Sequence, residues 1–317
     1  MMCATSHRDY YHHSMNNPLL KASNLGRTDQ GNTRLRDFSL SLQRGEVVGL
    51  LGVNGAGKST AMALLSGALA PTSGHVEVLG LNLHQHPRSK KHIGLLPESA
   101  PLYASLTVDE NLDFAARLRG MASAEAARAG TAIKKRLDLQ PLGKRLCSKL
   151  SKGMAQRVAI AQALIHSPVI LILDEPTAGL DPAQAQTLRD LIRELGSECG
   201  ILLASHILAD MEQLCRRVII LNNGRQVAEQ ALDESNLVRV QLSAPPENTG
   251  DLTEITTVKA VYPQDNGWYQ LEMNGPADEF IRQALTRGWQ LQALIPAQYN
   301  LQSLLTDAIA SEPGEQP

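Results

Sequence analysis

Residues 46–69 read EVVGLLGVNGAGKSTAMALLSGAL: a short apolar run of strand type, a glycine-rich loop and a helix-prone segment. The order Gly52, four residues, Gly57-Lys58-Ser59 is the spacing of a loop that wraps main-chain N–H groups around phosphate oxygens, with glycine permitting the turns. The candidate nucleotide-binding positions are therefore Gly52, Val53, Asn54, Gly55, Ala56, Gly57, Lys58, Ser59 and Thr60. The helix that follows adds its positive N-terminus. Lys58 is expected to contact the β and γ phosphates as a point charge, and the Ser59 hydroxyl to ligate Mg²⁺. A chance glycine turn is the bland alternative; the strand before the loop and the helix after it weigh against it.

The second anchor is VILILDEPTAGLD, residues 169–181, where an apolar run fit for a buried central strand ends in two acids. Asp174, at the strand's carboxyl end, is a candidate for the Mg²⁺ shell, and Glu175 for polarising the attacking water. Helix capping is the alternative, but Pro176 and the turn residues after it leave no helix to cap there. Between the anchors lies LSKGMAQRVAIAQALIHSP, residues 150–168, in which Ser151, Lys152 and Gly153 open an amphipathic helix running to about His166. This is a second helix-start phosphate site. One nucleotide needs only one per chain, so two copies, each covering the other's phosphates, are the economical reading over a plain serine N-cap.

In this order the motifs resemble the nucleotide-binding subunit of an ABC transporter over residues 19–230, and within that family the branch that works with ABC-2 type export permeases, including gliding-motility and sodium-extrusion types. The resemblance implies an α/β fold: a P-loop NTPase cassette with a RecA-like core, an antiparallel β subdomain and an inserted helical subdomain at about 100–165. It maps Gly52–Thr60 onto the Walker A loop and Glu98 onto the Q-loop, as a phosphate-side and Mg²⁺ ligand. Leu150–Gln156 falls on the signature, Asp174 and Glu175 on Walker B, and Ala178–Asp181 on the D-loop. His206, in LLASHIL, falls on the switch histidine that orients water at the γ-phosphate. Three departures stand out. Glu98 replaces a glutamine, Lys152 replaces a glycine, and SNLGRTDQGNTRL offers no aromatic to stack on adenine, with Arg27 or Leu25 as partial substitutes. The implied cofactors are ATP and Mg²⁺, and the implied partners are a second copy or a related ATPase and an integral-membrane ABC-2 permease. A groove near Pro101, Leu102 and Tyr103 would receive the permease's coupling helix; ordinary packing between subdomains explains these apolar residues equally well.

Composition bounds the rest. Thirty basic against thirty-two acidic side chains give a net charge of -2, so no nucleic-acid partner is expected. Cys3, Cys147, Cys199 and Cys215 lack CxxC spacing and read as free thiols in a reducing cytosol. With no apolar run of about 18 residues and no signal-peptide core, membrane contact must come through a partner, at the cytoplasmic face of the inner membrane. Residues 1–18 read as a disordered tail or over-long start, in which His12 and His13 are tail residues; 19–235 read as the ATPase domain. A separate α+β domain is expected over 236–317, with a turn at 244–251 and a final helix at LQSLLTDAI. Its Trp268, Tyr269 and Trp289 read as core or interface residues, and dimerisation or regulation as its role. A soluble ABC ATPase without a permease would need two cassettes or a coiled coil; a cargo-sensing C-terminal domain is the second alternative. Without an aromatic under the base, which stacking would make worth about 1–3 kcal/mol, GTP should compete well with ATP. A competition assay showing strong ATP preference would refute this.

Overall fold

The structure is a computed structural model and describes residues 17–232, 237–243, 249–296, 301–302 and 305–306. Its contacts gather into two compact units that divide at Gln230. The expected N-terminal tail, with Cys3, His12 and His13, and most of the expected final helix lie outside the described residues.

In the first unit β1 (Leu20–Asp29) and β2 (Asn32–Leu42) form an antiparallel pair, and β3 (Val47–Leu51) leads through the glycine loop into α1 (Lys58–Leu65). Next, β4 (Ser73–Val78) pairs with β1 and with the short β5 (Leu81–Asn82). After β6 (Ile93–Leu96) come the helices α2 (Val108–Leu118), α3 (Ser123–Arg136) and α4 (Lys152–Leu164). The chain returns through β7 (Ile170–Asp174), α5 (Pro182–Glu198), β8 (Gly200–Ala204), α6 (Leu208–Leu214), β9 (Arg217–Asn222) and β10 (Arg225–Ala231).

These strands make a 10-stranded sheet in the order β5-β4-β1-β2-β10-β9-β3-β8-β7-β6. The stretch from β9 to β6 is parallel, and the arm from β5 to β2 is antiparallel. Parallel strands are covered on both faces, and the unbroken apolar runs VVGLL in β3 and GILLA in β8 are buried along their whole length. Register matters most for the site. Leu50 of β3 and Asp174 of β7 both lie opposite Ala204 of β8, and Leu96 of β6 lies opposite Leu173. The carboxyl ends of four neighbouring strands therefore stop nearly level and form one rim, the position where open α/β sheets bind ligands.

The helical segment is held by local chemistry. Thr107 caps α2: its hydroxyl accepts from Glu110 N at 3.2 Å, while its own N–H donates to the Glu110 carboxylate at 2.7 Å. The helix α4 departs from the amphipathic expectation. Val158, Ala159, Ile160 and Ala161 are consecutive and all buried, because the helix lies between α2, α3 and β6.

The second unit is α+β. Its elements are β11 (Leu237–Leu242), α7 (Gly250–Thr253), β12 (Val258–Pro263), β13 (Trp268–Met273), α8 (Ala277–Thr286) and β14 (Leu291–Pro296). The strands run antiparallel in the order β12-β13-β11-β14, a split β-α-β pattern with its own core of Val240, Leu252, Ile255, Leu271 and Phe280. Tyr269 belongs to this core, whereas Trp268 and Trp289 are half-buried beneath the Arg239 and Arg287 guanidinium groups, at 5.0 and 5.6 Å from the ring centroids.

Replacing Thr107 with Ala removes the hydroxyl half of the capping box, leaving the main-chain N–H on the Glu110 carboxylate, and should cost about 1 kcal/mol. Urea unfolding should record the loss as a lower midpoint at unchanged slope.

Candidate active site

The glycine loop follows β3, and its shape depends on two positions. A Cβ at Gly52 would lie 2.5 Å from the Leu221 carbonyl oxygen and 2.9 Å from the Ala56 Cβ, so only glycine lets the loop leave the strand there. Gly57, the N-cap of α1, has φ 105, a left-handed value that glycine tolerates. The fold closes around Lys58. Its side chain is buried, and its ammonium donates to the carbonyl oxygens of Gly52 at 2.6 Å and Val53 at 3.3 Å. Ser59 is exposed in the first turn of the same helix.

On the neighbouring strand ends stand the acids. Asp174 closes β7, and burial, the Glu175 carboxylate and then the Glu98 carboxylate push its carboxyl up to about 6, with Lys58 opposing them. The structure thus brings Glu98, from beyond β6, into electrostatic range of Asp174. Glu175 sits in the left-handed region at φ 49, unusual for a residue with a side chain. Its N–H donates to the Ala204 carbonyl at 2.8 Å. Its carboxylate accepts from the His206 N–H at 3.0 Å and pairs with the His206 Nδ1 at 2.7 Å. His206 is 60% exposed and Glu175 only 10%, so the ring stands at the mouth of the site with the acid behind it.

Ser151, Lys152 and Gly153 make contacts of a different kind. Ser151 is the N-cap of α4, accepting from Met154 N at 3.3 Å. The Lys152 ammonium lies over Gly179 of its own chain, and the missing side chain of Gly153 leaves room for the Gln184 amide. Neither proposed base-stacking substitute is free. Leu25 is fully buried, turned inward where the β1–β2 register shifts on either side of it. Arg27 is clamped by Asp29 and donates to the Ala70 carbonyl at 2.8 Å.

The motif reading missed four residues behind the site. Asp210, on α6, is wholly buried; it accepts from Arg189 Nε at 2.7 Å, from Ser205 Oγ at 3.0 Å and from the Thr177 hydroxyl. An acid between Ala209 and Met211 in an otherwise apolar helical turn was the available sign.

The donor set fits Mg²⁺. The Asp174 carboxyl is held up by burial and then by the Glu175 and Glu98 carboxylates, which Lys58 offsets only in part. Among the described residues no three His, Cys, Asp or Glu side chains stand close enough to hold a metal alone, and Mg²⁺ does not need them: one or two protein oxygens plus substrate phosphates suffice.

A phosphate loop, a strand-end acid pair and a histidine on one rim define a nucleotide-hydrolysing cassette. The ABC transporter family model matches residues 35–178. The uncharacterized ABC transporter ATP-binding protein YhcH of Bacillus subtilis is 34% identical over 241 residues, 72% of this chain and 77% of that protein. The bacitracin transport ATP-binding protein BcrA of Bacillus licheniformis is 37% identical over 218 residues, 68% of this chain and 70% of its own. A solved ATP binding subunit of an ABC transporter superposes with a TM-score of 0.62 at 35% identity, over 68% of this chain and 91% of that one. The chain belongs to the ABC transporter family, as an ATP-binding subunit that hydrolyses ATP.

A carboxyl held above its ordinary value binds its proton more tightly in the folded chain than in the unfolded one. The stability this supplies is full below the ordinary value of 3.8 and is lost as pH rises through about 6. Asp174→Asn should therefore raise the melting temperature of the nucleotide-free protein most above pH 6, with the gain fading towards pH 4. Thermal melts across that range test it.

Proposed function

We propose that this ATPase powers a separate ABC-2 type permease, in export, from the cytoplasmic face of the membrane. The observation that carries the catalytic part is the shared rim: Asp174 ends β7, Glu175 and His206 follow β7 and β8, and Lys58 opens the helix that the glycine loop joins to β3. Gly52–Thr60 wrap the phosphates, and Lys58 exchanges its carbonyl partners for the β and γ oxygens. Ser59, Asp174 and Glu98 would hold Mg²⁺, which when bound neutralises charge on those oxygens. Glu175 orients the attacking water and takes its proton, while His206, fastened to Glu175, faces the γ-phosphate. Two copies sandwich two nucleotides, with Ser151–Gly153 of each at the start of α4 covering the other's phosphates, and closure of that dimer is the power stroke.

One structural feature supports a membrane partner. The helical segment keeps apolar side chains in solvent: Tyr103 is 53% exposed, Leu118 70%, and Tyr103 meets Phe114 edge-on with ring centroids 5.1 Å apart. Such a patch suits an apolar helix end presented by a permease. The name of the bacitracin transport relative supports a transport role.

The Glu175→Gln variant, held in ATP and recovered from native membranes in mild detergent, should bring down a multi-helix permease identifiable by mass spectrometry. Adding Leu118→Glu should lose that partner while ATP binding stays intact. Recovery with ribosomal or DNA-bound proteins and no membrane protein would overturn the transport reading.

A further inference from the structure

Behind the catalytic rim lies a group that the phosphate chemistry does not use. Asp210 is 0% exposed, and burying a carboxylate is costly unless it is paired and hydrogen-bonded. Here it is fully engaged, by three separate segments. Arg189 of α5 donates to Oδ1 at 2.7 Å; the Thr177 hydroxyl, from the chain after β7, and the Ser205 hydroxyl, from the chain after β8, both donate to Oδ2, the latter at 3.0 Å.

Those two hydroxyls flank the catalytic pair. Thr177 lies two residues beyond Glu175, and Ser205 immediately precedes His206. Ser205 Oγ also accepts from Ile207 N at 3.0 Å and reaches the Glu175 carboxylate at 3.4 Å, so the turn that carries His206 is pinned on both sides of the imidazole. His206 itself is largely solvent-exposed, and Glu175 holds a left-handed backbone that an L-residue rarely adopts. Packing does not fix the exposed imidazole; the hydrogen bonds around it do.

We propose that Asp210 is a positioning residue for hydrolysis: its carboxylate ties the segment after Glu175 to the turn bearing His206 and so keeps acid and imidazole in register. The proposal rests on Glu175 and His206 being the catalytic pair. A carboxylate accepts from Arg189, Thr177 and Ser205 at once, Oδ1 taking the guanidinium and Oδ2 the two hydroxyls.

The test uses the full chain and measures steady-state ATP hydrolysis and MgATP binding for the wild type, Ser205→Ala, Thr177→Val, Asp210→Asn, the Ser205→Ala/Asp210→Asn double variant and Glu175→Gln. Small displacements of reacting groups cost up to about 100-fold, so kcat should fall about 10-fold in the hydroxyl variants and about 100-fold in Asp210→Asn. KM and the MgATP dissociation constant should stay within about threefold, and the double variant should be no slower than Asp210→Asn alone, as for residues that act as one unit. Wild-type kcat in folded Ser205→Ala and Asp210→Asn would overturn the proposal, as would parallel losses of affinity and rate that add in the double variant. If Asp210→Asn does not fold, Ser205→Ala and Thr177→Val decide the matter, since both keep the Arg189 ion pair. Full activity in Glu175→Gln would instead overturn the catalytic reading on which the proposal rests.

Discussion

The level ending of β3, β8, β7 and β6 is the constraint on which the rest depends. Parallel pairing sets Leu50 and Asp174 opposite the same residue, Ala204, so the chain leaves three strands at one height and in one direction. A shift of one residue in β7 would turn Asp174 to the other face of the sheet, because side chains alternate along a strand. The glycine loop, the acid pair and His206 are distant in sequence, and this register brings them to one rim.

Charge around that rim is deliberately unbalanced. Asp174 feels two further carboxylates, Glu175 and Glu98, against one buried cation, Lys58, whose ammonium is already held by two loop carbonyls. The Asp174 carboxyl rises because neither water nor a full counter-charge compensates it. A site in this condition favours a nucleotide that arrives with a divalent cation, which supplies the missing positive charge. Glu98 adds to that imbalance.

The second unit is built on different terms. Its split β-α-β sheet has its own core and holds arginines over Trp268 and Trp289. Among the described residues it carries no metal cluster; Tyr269 and Phe280 serve its core, and Trp268 and Trp289 carry the cation–π contacts.

Much of this was legible in the sequence because it rests on local rules. Glycine spacing specified the phosphate loop, Thr107 and Glu110 specified the start of α2, and apolar runs ending in acids or Ser-His marked the strand ends. Tertiary structure alone decided what depends on the distance between segments. Leu25, seemingly available at a nucleotide edge, is turned into the core by a register shift in β1, and α4 is buried on nearly all sides because three elements meet around it. The left-handed backbone of Glu175 and the Asp210 cluster were also invisible, since a motif records residue types in order and neither a dihedral angle nor the meeting of α5, α6 and two loops has a local pattern. Residue chemistry along the chain determined which groups could handle phosphate; the packing of the sheet and helices determined which of them face one another and at what charge.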